Sequence, residues 1–72
     1  MTIEQIKRNL FIHKGKKAII KCNLGRNKYE EYDVIIRDIY RNIFVVEMLS
    51  SIEKVKSFSY ADVISKNVKI KY

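Results

Sequence analysis

The chain has 72 residues, with 15 Lys or Arg against 8 Asp or Glu and a formal net charge of +7. That length predicts one domain over residues 1–72 with a small core, because so short a chain buries only about 60% of its unfolded surface. One cysteine, Cys22, and one histidine, His13, exclude an internal disulfide and a four-ligand Cys/His zinc site, and no apolar run reaches the roughly 18 residues of a membrane span.

The charge is unevenly placed. Residues 1–28 hold eight basic side chains and one acid, residues 29–62 hold four basic and seven acidic, and residues 63–72 hold three lysines and no acid. Such asymmetry points to a surface that faces a polyanion. The competing reading is a solvated surface that keeps a small protein dispersed. The opening residues alternate charged and apolar types, unlike a signal peptide. With a lone cysteine as well, the expected compartment is the reducing cytoplasm.

In chain order, the first element expected is a helix over about 2–12. Thr2 and Gln5 have the spacing of a capping box, and Ile3, Ile6 and Leu10 form one apolar stripe. Gly15 suits a position past the helix end. The period then changes to two, with Ala18, Ile20, Cys22 and Leu24 alternating against Lys17, Ile19, Lys21 and Asn23, which predicts a half-buried strand. Gly25-Arg26-Asn27-Lys28 reads as a turn. A second strand runs from Tyr29 to about Ile39, with Tyr32, Val34 and Ile36 inward. After a break at Tyr40-Arg41-Asn42 comes a third, Ile43 to Leu49, with Phe44, Val46 and Met48 on one face. Residues 50–54 form a loop, and a fourth strand covers Val55 to Tyr60. Asp62 is expected to open a short helical turn by accepting backbone N–H bonds. The last strand, Asn67 to Tyr72, turns Val68, Ile70 and Tyr72 inward and Lys69 and Lys71 outward.

Five short strands joined by hairpins predict a mainly β fold. The expected architecture is a small five-stranded antiparallel barrel over about 16–72, SH3-like or Sm-like, with the N-terminal helix over one open end. Closure into a barrel removes unpaired edges. Ile19, Ile35, Ile43 and Val45 fall on outward positions, where a monomer rarely leaves a contiguous apolar patch. Two readings stay open for them: the helix covers them, or they form the interface of a homodimer or of another protein partner.

No catalytic constellation is visible. Serines stand at 50, 51, 57, 59 and 65, and only His13 is available to activate one. Glu30 and Glu31 are adjacent in a strand, so they point to opposite faces. No Gly-rich phosphate loop is present, and no cofactor or metal is implied. What remains is a basic set interleaved with an aromatic: Lys16, Lys17, Lys21, Arg26, Lys28 and Tyr29. Basic strands and loops with stacking rings are how small barrels hold nucleic acid. The alternative is a solvated hairpin end.

Three stretches carry a resemblance: Asn23-Leu24-Gly25-Arg26-Asn27-Lys28, Tyr40 through Phe44-Val45-Val46, and Phe58-Ser59-Tyr60-Ala61-Asp62-Val63-Ile64. With the opening Ile3-x-x-Ile6-Lys7-Arg8-x-Leu10 and with Gly15-Lys16, the chain resembles the Veg family along nearly its whole length, most specifically at Ser59-Tyr60-Ala61-Asp62. The resemblance implies a small cytoplasmic protein of low-GC Gram-positive bacteria. It also implies a non-enzymatic regulator that stimulates biofilm formation through transcription of matrix genes, by opposing a repressor of those genes. It brings no catalytic site. The chain departs from the family pattern at Leu24 and Val34, where glycine is usual, and at Arg41, where proline is common. Function is therefore expected to be binding, to a transcriptional regulator or directly to DNA or RNA, with no membrane partner.

Overall fold

A computed structural model describes residues 2–49 and 52–72. Ser50 and Ser51, in the expected loop, lie outside the described residues. The elements are α1 (Ile3–Ile12), β1 (Lys17–Gly25), β2 (Lys28–Ile39), β3 (Ile43–Met48), β4 (Val55–Ser59), α2 (Tyr60–Ile64) and β5 (Val68–Lys71).

The capping box forms as the spacing predicts. The Gln5 N–H donates to Thr2 Oγ1 at 3.2 Å, and the Thr2 N–H donates to Gln5 Oε1 at 3.0 Å. A ten-residue helix is too short to hold itself in water, so α1 depends on what it buries. Ile6 and Leu10 are buried, while Ile3, expected in the same stripe, is exposed. Past the helix, Gly15 adopts a φ of +81°, a left-handed conformation that side chains with a Cβ disfavour. Its N–H donates to the Ile36 carbonyl at 2.7 Å, and the Ile36 N–H donates to the Lys16 carbonyl at 3.2 Å. The chain thus hooks onto β2 before β1 begins.

The strands form one antiparallel sheet in the order β4-β3-β2-β1-β5. The twelve-residue β2 is its spine. Its first part pairs with β1, from Lys28 opposite Gly25 to Ile35 opposite Lys17. Its second part pairs with β3, and the register slips between Ile36 and Asp38. A bulge of this kind bends the strand and sharpens its twist. The sheet therefore curls, but β4 and β5 do not pair. The mainly β, five-stranded antiparallel expectation holds; full barrel closure does not. α2 bridges the gap instead, and Tyr60 and Val63 fill it from within. Their neighbours in that single core include Ile6, Leu10, Ile20, Val34, Phe44 and Val68.

Four local expectations need correcting. Leu24 has the parity of an inward residue, yet it is 56% exposed. The register shifts between Asn23 and Gly25, the Gly25 N–H donates to Asn23 Oδ1 at 2.9 Å, and the hairpin tip runs past the core. β4 ends at Ser59, so Tyr60 belongs to α2. Ser59, not Asp62, opens that helix, for the Asp62 N–H donates to Ser59 Oγ at 3.1 Å. Finally, Tyr72 leaves the core face and stacks on His13, ring centroids 4.1 Å apart.

The orientation of α1 gives a direct test. Leu10→Ala should cost about 2–4 kcal/mol, the usual range for emptying a fully buried leucine site. Phe11→Ala, one residue on and 70% exposed, should stay within about 0.5 kcal/mol of the parent. Urea unfolding of the two variants measures both values.

Candidate nucleic-acid interface

Alternation along β1 turns Ala18, Ile20 and Cys22 into the core, so Lys17, Ile19 and Lys21 share the outer face. The pairing with β5 then decides what joins them. Lys69 stands directly opposite Lys21, and Lys71 directly opposite Ile19. Facing side chains on paired antiparallel strands lie about 4.5–5.5 Å apart at Cβ. Four lysines, at 17, 21, 69 and 71, are thereby gathered on two neighbouring strands. On the other side of β1, Glu31 faces Lys21 and Asp33 faces Ile19, so carboxylates on β2 border the lysine strip.

Of the expected set, Lys21 and Tyr29 come together, and Lys17 shares the outer face of β1 with Lys21 at the strand's other end. The Lys21 ammonium lies 4.6 Å from the centroid of the Tyr29 ring. Arg26 lies in the two-residue loop between β1 and β2, where Asn27 takes a φ of +56°, and Lys28 opens β2 opposite Gly25. Both are exposed at the hairpin tip, in line with the strip along β1. Lys16 precedes β1, at the hook onto β2. Lys69 and Lys71 were not among the expected site residues. The excess of lysine after residue 62 was the available signal, but only the long-range pairing of β1 with β5 makes them neighbours of Lys21.

α1 does not cover the outward apolar residues, contrary to one of the two expectations for them, because its buried stripe, Ile6 and Leu10, joins the inward core. Ile19, Ile35 and Val45 are half-buried and Ile43 is exposed on the outer face. Ile35 stands between Lys17 and Glu47, and an ion pair between Arg37 and Glu47, 2.6 Å apart, lies on the same face.

The remaining polar groups serve structure. Burial pushes the Cys22 thiol pKa up, with smaller opposing and reinforcing effects from Lys56, Glu30 and Asp62, which is the opposite of what a thiolate nucleophile needs. His13 holds its Nδ1 2.8 Å from the Asn9 carbonyl oxygen. The Tyr32 hydroxyl donates to Glu30 Oε2, and Lys56 caps the Tyr32 ring at 4.9 Å. Among the described residues no group of three or more His, Cys, Asp or Glu side chains is placed to hold a metal. No helix among them is long and apolar enough to cross a membrane.

A family model described as biofilm formation stimulator VEG matches residues 1–71. The chain belongs to the VEG family. No match was found among curated proteins. In this VEG chain the stretch Ser59-Tyr60-Ala61-Asp62 is architectural: it caps α2 and sends Tyr60 into the core. The departures at Leu24 and Arg41 are exposed positions near turns, whereas Val34 is fully buried.

The contact between Tyr32 and Glu30 has a spectroscopic signature. Accepting a hydrogen bond from the neutral phenol, the Glu30 carboxylate holds it protonated and, with burial, pushes its pKa up to about 12. The favoured folded form is the protonated one, so its contribution to stability is whole below about pH 10 and drains away as pH rises towards about 12. Alkaline titration of phenolate absorbance should lose a step near pH 12 in Tyr32→Phe. In Glu30→Ala that step should move back towards about pH 10.

Proposed function

We propose that this VEG-family protein is a non-enzymatic regulator of biofilm formation, linked to transcription of matrix genes, and that it works by binding nucleic acid on the β1–β5 lysine strip. One observation carries the reading. Lys21 and Lys69 are a like-charged pair directly opposite each other on adjacent strands, an arrangement that costs stability. A polyanion laid along the strip removes that repulsion and converts it into affinity. Lys17 and Lys71 extend the strip, Arg26 and Lys28 continue it at the hairpin tip, and the exposed Tyr29 ring beside Lys21 offers a stacking platform. Contacts of this kind hold the sugar-phosphate chain without reading sequence.

The reading makes stability and affinity move in opposite directions. Lys69→Glu should stabilise the fold by a few tenths of a kcal/mol up to about 1 while weakening binding to an oligonucleotide. Lys17→Glu with Lys21→Glu should weaken it further with the fold retained. The slope of log affinity against log salt should fall by about 0.7–0.9 for each lysine lost. Fluorescence anisotropy against salt reads this, and binding that ignores salt, or none at low salt, would remove the proposal.

A second reading, in which the protein binds a regulator such as a repressor or a second copy of itself, is favoured by the uncovered outer-face residues Ile19, Ile35, Ile43 and Val45. Sedimentation at micromolar concentration tests the self-association branch. Ile35→Asp or Val45→Asp should then dissociate the assembly while the circular dichroism spectrum is kept.

A further inference from the structure

The far face of α1 carries apolar side chains that the core does not use. Phe11 is 70% exposed and Ile12 58%, two neighbours immediately after the buried Leu10. Across from them stands the β2–β3 turn, with Tyr40 also exposed and Ile39 half-buried beneath it. Between helix and turn lies a recess of about 710 Å³, the size of a small-ligand or side-chain pocket. Its rim is basic: Lys7, Arg8 and Arg41 against the single acid Glu4.

The turn that forms one wall is fixed in place. The Tyr40 N–H donates to the Ile43 carbonyl at 2.8 Å and the Tyr60 N–H to the Asn42 carbonyl at 3.2 Å, while the Tyr60 hydroxyl donates to the Tyr40 carbonyl at 2.5 Å. Lys7 lies 5.6 Å from the Tyr60 ring centroid. The turn wall of the recess is therefore preorganised, which lowers that part of the cost of filling it.

We propose that this recess docks an acidic, amphipathic segment of a partner protein. The occupant places apolar side chains against Phe11, Ile12 and Tyr40, and carboxylates against Lys7, Arg8 and Arg41. Charge complementarity selects an acidic partner. Phe11, Ile12 and the half-buried Ile39 line one recess between helix and turn, which a segment laid between the two elements fills more fully than a flat bilayer. Aliphatic Ile12 and Ile39 line the recess beside the two rings and suit protein side chains better than bases, and an oligonucleotide is the rival occupant that the test excludes. None of its residues belongs to that strip, so the two surfaces stand or fall independently. The mode is an amphipathic segment laid in a groove.

The test uses the full isotope-labelled chain and a synthetic helical peptide with Leu on one face and Glu on the other. The expected result is saturable amide shifts at Phe11, Ile12 and residues 39–41. Phe11→Ala and Arg41→Glu, both at exposed positions, should each weaken binding about tenfold, the factor that corresponds to loss of one partly buried anchor. Lys17→Glu with Lys21→Glu should leave it unchanged, and a peptide with Lys in place of Glu should not bind. The proposal is overturned by the absence of shifts in the recess at millimolar Glu peptide, by equal binding of the Lys peptide, or by shifts centred on Lys21 and Lys69. It is likewise overturned if phosphatidylglycerol vesicles or an oligonucleotide perturb the recess where the Glu peptide does not.

Discussion

A curled sheet whose two edge strands do not meet must close its interior with something else, and here the closing group is a phenol. Tyr60 is 1% exposed, so its hydroxyl would be costly without a partner. The Tyr40 carbonyl accepts that hydrogen bond, and the Tyr60 N–H reaches the Asn42 carbonyl. One residue thus ties the β4–α2 junction, where the chain turns towards the gap, to the β2–β3 turn beside it, next to the pairing of Ile43 with Ser59. Its ring packs 5.8 Å from Phe44, and Ile6 and Leu10 of α1 lie in the same core. Remove the hydroxyl and the turn loses one of its three hydrogen bonds; remove the ring and α1 loses part of what it packs on. The Ser59-Tyr60-Ala61-Asp62 stretch therefore marks the chain's architecture more directly than it marks a binding surface.

Electrostatics act in the other direction. A sheet selected for stability alone would pair Lys21 with acids on both neighbouring strands. It does so on β2, with Glu31, and not on β5, where Lys69 stands. The acids of the chain fall mostly between residues 29 and 62, in elements that the lysine strip touches along one border. This segregation concentrates positive potential on β1 and β5, at a cost that a core of this size feels.

How much of this was legible beforehand depends on whether the information is local. The capping box at Thr2 and Gln5, the alternation of Ala18, Ile20 and Cys22, and the inward Phe44, Val46 and Met48 are consequences of neighbours in sequence, and they formed as the pattern predicts. Leu24 kept the right parity but lost its core, because a register slip and a hairpin running past the sheet are properties of the pairing. Tyr72 followed the same rule and failed for a tertiary reason, its ring finding His13. For the proposed strip, the placing of Lys17 and Lys21 on one face was readable from the alternation along one strand. Lys69 and Lys71 were not, since they lie roughly fifty positions away in sequence and one strand away in space. Phe11 and Ile12 directly follow an apolar stripe in sequence, and only the direction in which α1 packs shows that they are left outside.

That last pair bears on how so small a domain stays folded. α1 is ten residues long and is held by its cap and two buried side chains, so it belongs among the elements that open at low free energy. A ligand that binds only the folded chain adds RT ln(1 + [L]/Kd) to its stability. An occupant touching Phe11, Ile12 and the pinned turn together would hold α1 against the rest of the domain. Binding there and order in α1 are then two descriptions of one equilibrium. A partner at this recess would control how firmly the helix covers the core, while a polyanion on β1 and β5 would relieve repulsion within the sheet.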